Sequence, residues 1–148
     1  MRGSHEVLFL RSPAEVALRQ FLLRRCSALP SGDLESFESE LHGHIAALEA
    51  DLVAEEVARY DVEALEVEFD GRRYRRGQIA SETYTSGAGQ FKVSRRIFHA
   101  VDGHGDAICP LELRSGIVEG AWTPRAARLM AMFVAHMPAS ESVALFVE

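Results

Sequence analysis

Leu65-Glu66-Val67-Glu68-Phe69-Asp70-Gly71-Arg72-Arg73-Tyr74-Arg75-Arg76 is where the chain changes its hydrophobic period. Leu65, Val67 and Phe69 alternate with Glu66, Glu68 and Asp70, the period-2 pattern of a strand with one apolar face. Asp70-Gly71 is a favoured dipeptide for a tight type I′ turn, whose two central residues need positive φ. Two-residue closure then predicts the register: Glu68 opposite Arg73, Glu66 opposite Arg75, Val67 opposite Tyr74. Opposite charges meet on one face, at about 0.2–1 kcal/mol per pair. That accounts for Arg73 and Arg75 as sheet chemistry and leaves Arg72 and Arg76 for an outside partner.

Downstream, Thr83-Tyr84-Thr85 reads as a second strand run, 86–89 as a loop, and Gln90 to His99 as another strand. Phe91, Val93 and Ile97 share a face with Arg95, while Lys92, Ser94, Arg96 and Phe98 take the other. Arginine on both faces requires that at least one of Arg95 and Arg96 lie at a sheet edge or snorkel from under the core. With a turn over 101–106, the expectation is three or four antiparallel strands in a meander.

Upstream the period is helical. Ser12-Pro13 with Glu15 forms a capping-box start, and Val16, Phe21, Leu22 and Leu23 give an apolar face through about Cys26. Residues 6–10 before it are a short apolar run, a strand or a cover over the core. Asp33 begins the longest helix, to about Tyr60. Leu34, Leu41 and Leu48 recur every seven residues, with Ile45 and Leu52 beside them, so these five form the candidate oligomerisation seam. Beyond Leu52 the seam shifts to Val53, Val57 and Tyr60, which favours a hairpin of helices or a dimer over the first half. At the other end Thr123 caps a helix with Pro124 in its first turn. Ala126, Ala127, Leu129, Met130, Phe133, Val134 and Met137 make it apolar over much of its circumference, so burial against another element is expected. Pro138 ends it, and Ser140 opens a short last helix without a basic residue, unlike a recognition helix. The predicted class is α+β: N-terminal helices including one long acidic helix, a small antiparallel β-meander, and C-terminal short helices. Three segments follow, 1–62 helical, 63–109 an arginine-rich sheet, and 110–148 a connector with a helix pair, packed together as one domain.

The 148 residues suffice for one ordinary core, and the net charge of −6 hides strong zoning. Residues 33–70 carry thirteen acids against Arg59 alone, and 72–99 carry six Arg and one Lys against Glu82. Blocks of this kind can steer one polyanion toward one face. Arg72, Arg76, Lys92, Arg95 and Arg96 are the candidate DNA-contacting residues, because arginine forks suit phosphate oxygens. The competing reading has them satisfy the acidic block inside the protein or a dimer. Cys26 and Cys109 stand apart from any CxxC pair and are expected to be small buried hydrophobes. His42, His44, His99 and His104 lack a third ligand at supporting spacing, and the glycines fit turns rather than a phosphate cradle. Neither metal, cofactor nor catalysis by this chain is expected. No apolar run approaches the roughly 20 residues that cross a bilayer, and a cytoplasmic location without a membrane partner is the expectation.

Phe69-Asp-Gly-Arg-Arg-Tyr-Arg75, Thr83-Tyr84, Val93-Ser-Arg-Arg-Ile-Phe98 and above all Cys109-Pro-Leu-Glu-Leu-Arg-Ser-Gly-Ile-Val-Glu-Gly-Ala-Trp-Thr-Pro-Arg-Ala-Ala-Arg128 carry a family likeness. Over about residues 34–148 the chain resembles the amino-terminal part of bacterial insertion-sequence transposases of the ISKra4 type. The resemblance implies a full-length protein that continues into an RNase H-like domain with an acidic metal-binding triad. That triad has no position here, so what is implied is a partial, non-catalytic function. The implied roles are binding of double-stranded DNA at element ends, or assembly as a homodimer or with a full-length transposase subunit. A truncated product acting as an inhibitor is a further expectation of the same likeness.

Overall fold

The computed structural model describes residues 12–26 and 32–136. Its order is α1 (Pro13–Cys26), α2 (Leu34–Ala58), β1 (Glu66–Phe69), β2 (Arg72–Ser86), β3 (Gly89–Ala100), α3 (Pro110–Ser115) and α4 (Pro124–His136). The fold is α+β, with N-terminal helices, a small antiparallel sheet and short C-terminal helices. The expected strand at 6–10 and last helix from Ser140 lie outside the described residues. Among the described residues no helix is long and apolar enough to cross a membrane.

Two compact units make up the chain, residues 1–53 and 54–148. In the first, α1 and α2 form an antiparallel helix pair. Ser12, at the start of α1, hydrogen-bonds Asp51 near the end of α2, and Phe21 stacks on Phe37 and against His44. The Arg25 guanidinium lies 4.9 Å over the Phe37 ring. Helix α2 starts as its sequence requires: the Ser36 amide donates to Asp33 Oδ1 at 2.6 Å, satisfying one orphan N–H of the first turn. Helix α1 begins at Pro13 with the Ala14 amide donating to Ser12 Oγ. Glu15 pairs with Arg19 instead of closing a reciprocal box.

In the second unit the strand order is β1-β2-β3. The β1–β2 register is the one the turn dictates, Glu66 opposite Arg75, Val67 opposite Tyr74 and Glu68 opposite Arg73. Asp70 and Gly71 hold φ of 51° and 71°, as the I′ turn demands. The sequence suggests two strands between 72 and 86; the chain instead makes one fifteen-residue strand. It stays continuous by absorbing an irregularity. Arg76 faces Phe98 and Ile79 faces Arg96, so Gly77 and Gln78 together oppose Ile97, a β-bulge.

The long β2–β3 ribbon buries different faces at its two ends. Near the tip, Tyr84, Phe91 and Val93 are buried on one face; near the base, Tyr74 and Phe98 are buried on the other. A bulge adds local twist, and the changeover falls beside it. Phe98 and Ile108 exchange both backbone hydrogen bonds at 2.9 Å, which seats α3 against β3. Phe98 and Leu111 are fully buried, about 1.5–3 kcal/mol each. Helix α3 ends at Gly116 (φ 73°), whose amide donates to the Glu112 carbonyl. The connector then turns through Glu119 and Gly120 and joins the free edge of β2: Thr85 donates to the Ala121 carbonyl at 2.8 Å and Thr123 to the Thr85 carbonyl at 2.9 Å.

Helix α4 opens with Thr123 Oγ1 accepting from the Ala126 amide, as the sequence suggests. It departs from expectation in its burial. Ala126 is buried, whereas Leu129, Met132, Phe133 and Val134 are exposed. The helix packs on the end of β2, and among the described residues its apolar circumference outruns the surface that covers it. Cys109 is buried as expected, while Cys26 at the end of α1 is exposed.

Candidate polyanion-contacting face

The seven cations of the sheet divide by what surrounds them. Arg75 donates from Nε and Nη2 to Glu66 Oε1 at 3.1 and 3.0 Å, the cross-strand pair that the register sets up. Arg73, opposite Glu68, makes no ion pair among the described residues. Arg95 and Arg96 sit at the changeover of faces, with side chains 17% and 22% exposed. Neighbours on one strand aim at opposite faces, so each needs its own countercharge. Arg95 places Nη1 on Glu112 of α3 and Nη2 on Glu82 of β2 at 2.7 Å. Arg96 places Nη1 on Asp61 and Nη2 3.4 Å from Glu63, both in the segment that follows α2. Asp61 also accepts the Arg96 backbone amide at 3.3 Å, closing one N–H of the β3 edge.

The pairing of Arg95 belongs to a larger knot. Tyr84 donates its hydroxyl to Glu112 Oε1 at 2.8 Å, and Cys109 stands beside both. Burial, then the hydrogen bond and negative charge of Glu112, push the Tyr84 phenol above its ordinary range. Burial also raises the Cys109 thiol, against the hydrogen bond of the Glu112 backbone, while the Glu112 charge adds to the rise. Cys109 stands at the N-cap of α3 with Arg95 near it, yet burial outweighs both, the reverse of an activated thiolate. A cleft of about 350 Å³ opens beside the knot between Ile108, Leu113 and Ile117, but the Glu112 oxygen at its wall is already engaged.

Arg72, Arg76 and Lys92 remain. Partners in the ladder share a face, so Phe98, Arg96, Ser94 and Lys92 on β3 define the side on which Arg76 also lies, with Arg72 two positions beyond Tyr74. All three are exposed and carry no ion pair among the described residues. Four residues separate Arg72 from Arg76, and six separate Lys92 from Phe98, the partner of Arg76. At about 3.3 Å per residue the cations span roughly 33 Å of ribbon. That is close to the ~34 Å of one turn of duplex DNA. Tyr74 and Tyr84, the two tyrosines of the ribbon, are buried and present no ring for stacking.

Of the five candidate cations read from sequence, the fold thus leaves three exposed along one face of the ribbon, a face that also buries Tyr74 and Phe98 at its base, and engages two in carboxylate knots. Asp61 and Glu63 belong to the 33–70 acidic block that the competing reading gave these arginines, whereas sequence reasoning missed Glu112. The signal available for Glu112 was its place in the connector stretch, two residues into α3, where the nearby Arg114 turns away to the Tyr60 carbonyl. Within the described residues no group of three or more His, Cys, Asp or Glu side chains is placed to hold a metal ion. Comparison with family models, with curated proteins and with solved structures gives no match.

Proposed function

We propose that this chain is a non-catalytic module that contacts duplex DNA through Arg72, Arg76 and Lys92, in the manner of an end-binding or assembly part of a transposase. The observation that supports it is the exposure of three cations without an ion pair, among the described residues, on one face of a β-ribbon whose two partly buried cations, Arg95 and Arg96, are matched by carboxylates. Cations left without countercharge are the ones available to a phosphate backbone, and three of them fix register without reading sequence. Arg95 and Arg96 are left out of the contact set. Moving their forks to phosphate would strand Glu112 and Asp61 in a partly buried setting.

The test is an anisotropy titration of a fluorescent duplex with single alanine variants. Arg76→Ala and Lys92→Ala each weaken binding several-fold, whereas Arg75→Ala, whose charge is already matched by Glu66, changes it little. Equal losses from Arg75→Ala and Arg76→Ala contradict the assignment.

A second reading, assembly through α2, is favoured by a different observation. Leu34 and Ile45 are 69% and 48% exposed, although they lie on the same stripe as the half-buried Leu41, Leu48 and Leu52. A leucine seam left open in water is the usual mark of a helix that meets another subunit.

A further inference from the structure

We propose that the α2 seam of one copy docks on α4 of a second copy. This rests on the assembly reading above and names the partner of its seam.

Helix α2 carries seven carboxylates and no Lys or Arg. Pairing it with itself would bring two such helices together without the opposite charges that flank a stable coiled-coil seam. The flanks of the stripe are unequal. At 100° per residue, Phe37 and His44 lie on one side of Leu34, Leu41 and Ile45 and are the residues that meet Phe21 of α1. Glu38 and Glu49 lie on the other side and are exposed. The open side of the seam therefore asks for an apolar helix bordered by cations.

Helix α4 has that chemistry. Leu129, Met132, Phe133 and Val134 are exposed, and an apolar groove of about 310 Å³ runs between α4, Gly87 and Trp122. Arg125 and Arg128 stand four residues before Leu129 and Met132, on the exposed side, with no ion pair among the described residues. Arg125 Nε comes within 3.9 Å of where a Cβ on Gly87 would sit, which places it at the groove's rim. From Arg125 to Val134 is ~14 Å of helix and from Leu34 to Ile45 ~16 Å, so the stripes match in length. If each α2 meets the other copy's α4, two equal contacts close a twofold dimer.

Molar mass measured by light scattering across concentration tests this on the full chain. The wild type dimerises, and added salt weakens it. Arg125→Glu with Arg128→Glu in one variant, and Glu38→Arg with Glu49→Arg in another, each lower self-association at least tenfold. All four side chains are exposed, so both variants keep wild-type circular dichroism. Mixed in equal amounts, the two monomeric variants form a dimer, because every acidic helix then faces a basic one. A wild type that is monomeric throughout overturns the assembly reading and this docking with it. A dimer untouched by the Arg125 and Arg128 changes overturns α4 as the partner and leaves assembly through α2 standing.

Discussion

Arg95 and Arg96 show how two neighbouring residues of one type acquire different partners. Their position on both faces was legible in the alternation of β3, and so was the problem it poses. The solution was not, because Glu112 lies 17 residues downstream of Arg95 and Asp61 lies 35 residues upstream of Arg96. Pairings at that distance leave no periodic trace. Replacing Glu112 by Gln keeps an acceptor for Tyr84 but leaves Arg95 with Glu82 alone. The expected loss is about 2–3 kcal/mol in urea denaturation, below the 3–5 of a fully buried pair because both side chains retain some solvent. Tyr84→Phe, which deletes one neutral donor, costs only about 1 kcal/mol. The two cysteines separate by the same physics. Cys26 is exposed, whereas Cys109 is buried with its thiol held above the ordinary range. At pH 8 a thiol reagent modifies Cys26 quickly and reaches Cys109 only in denaturant; equal rates in the native state contradict the knot.

Elements were legible where their signals are local. Asp70-Gly71 fixed a hairpin and its register within ten residues, and Thr123-Pro124 fixed the start of α4. The bulge went unread, although a glycine inside a strand run is a common sign of one, because the strand read from the sequence ends before Gly77. A Cβ on Gly77 would meet the His99 ring at 2.5 Å. Gly77→Ala therefore destabilises by ~1–2 kcal/mol, and adding His99→Ala recovers part of the loss, as chemical denaturation of the pair would show. The exposure of α4 was also hidden, since an apolar circumference states how much surface wants covering and not what covers it. At the start of α2 the Asp33 carboxylate accepts the Ser36 amide, and that hydrogen bond holds its pKa below the ordinary 3.8. A depressed folded pKa means stabilisation that is complete above the unfolded value and is lost as pH falls through the folded one. Thermal melts of the wild type should thus lose more on acidification below about pH 4 than those of Asp33→Asn, which caps without titrating. Identical acid losses contradict the cap.

At the scale of the molecule, the block of thirteen acids and the block of seven cations read as separate zones in sequence, and the fold draws on both. Asp61, Glu63 and Glu66 are the acids that neutralise Arg96 and Arg75. What the pairing leaves over, among the described residues, is Arg73 on one face of the ribbon and Arg72, Arg76 and Lys92 on the other, the three to which the proposal assigns DNA contact. The zoning was legible by counting, but the remainder required coordinates, because subtraction needs to know which charge meets which. The measurement that bears most directly on this remainder is the salt dependence of duplex DNA binding by the wild type and by Arg72→Ala/Arg76→Ala/Lys92→Ala. Each lost phosphate contact lowers the log–log slope by about 0.9, so the triple variant is expected to be shallower by about 2.7. No binding by the wild type at low salt, or equal slopes for the two proteins, would contradict DNA contact at this face.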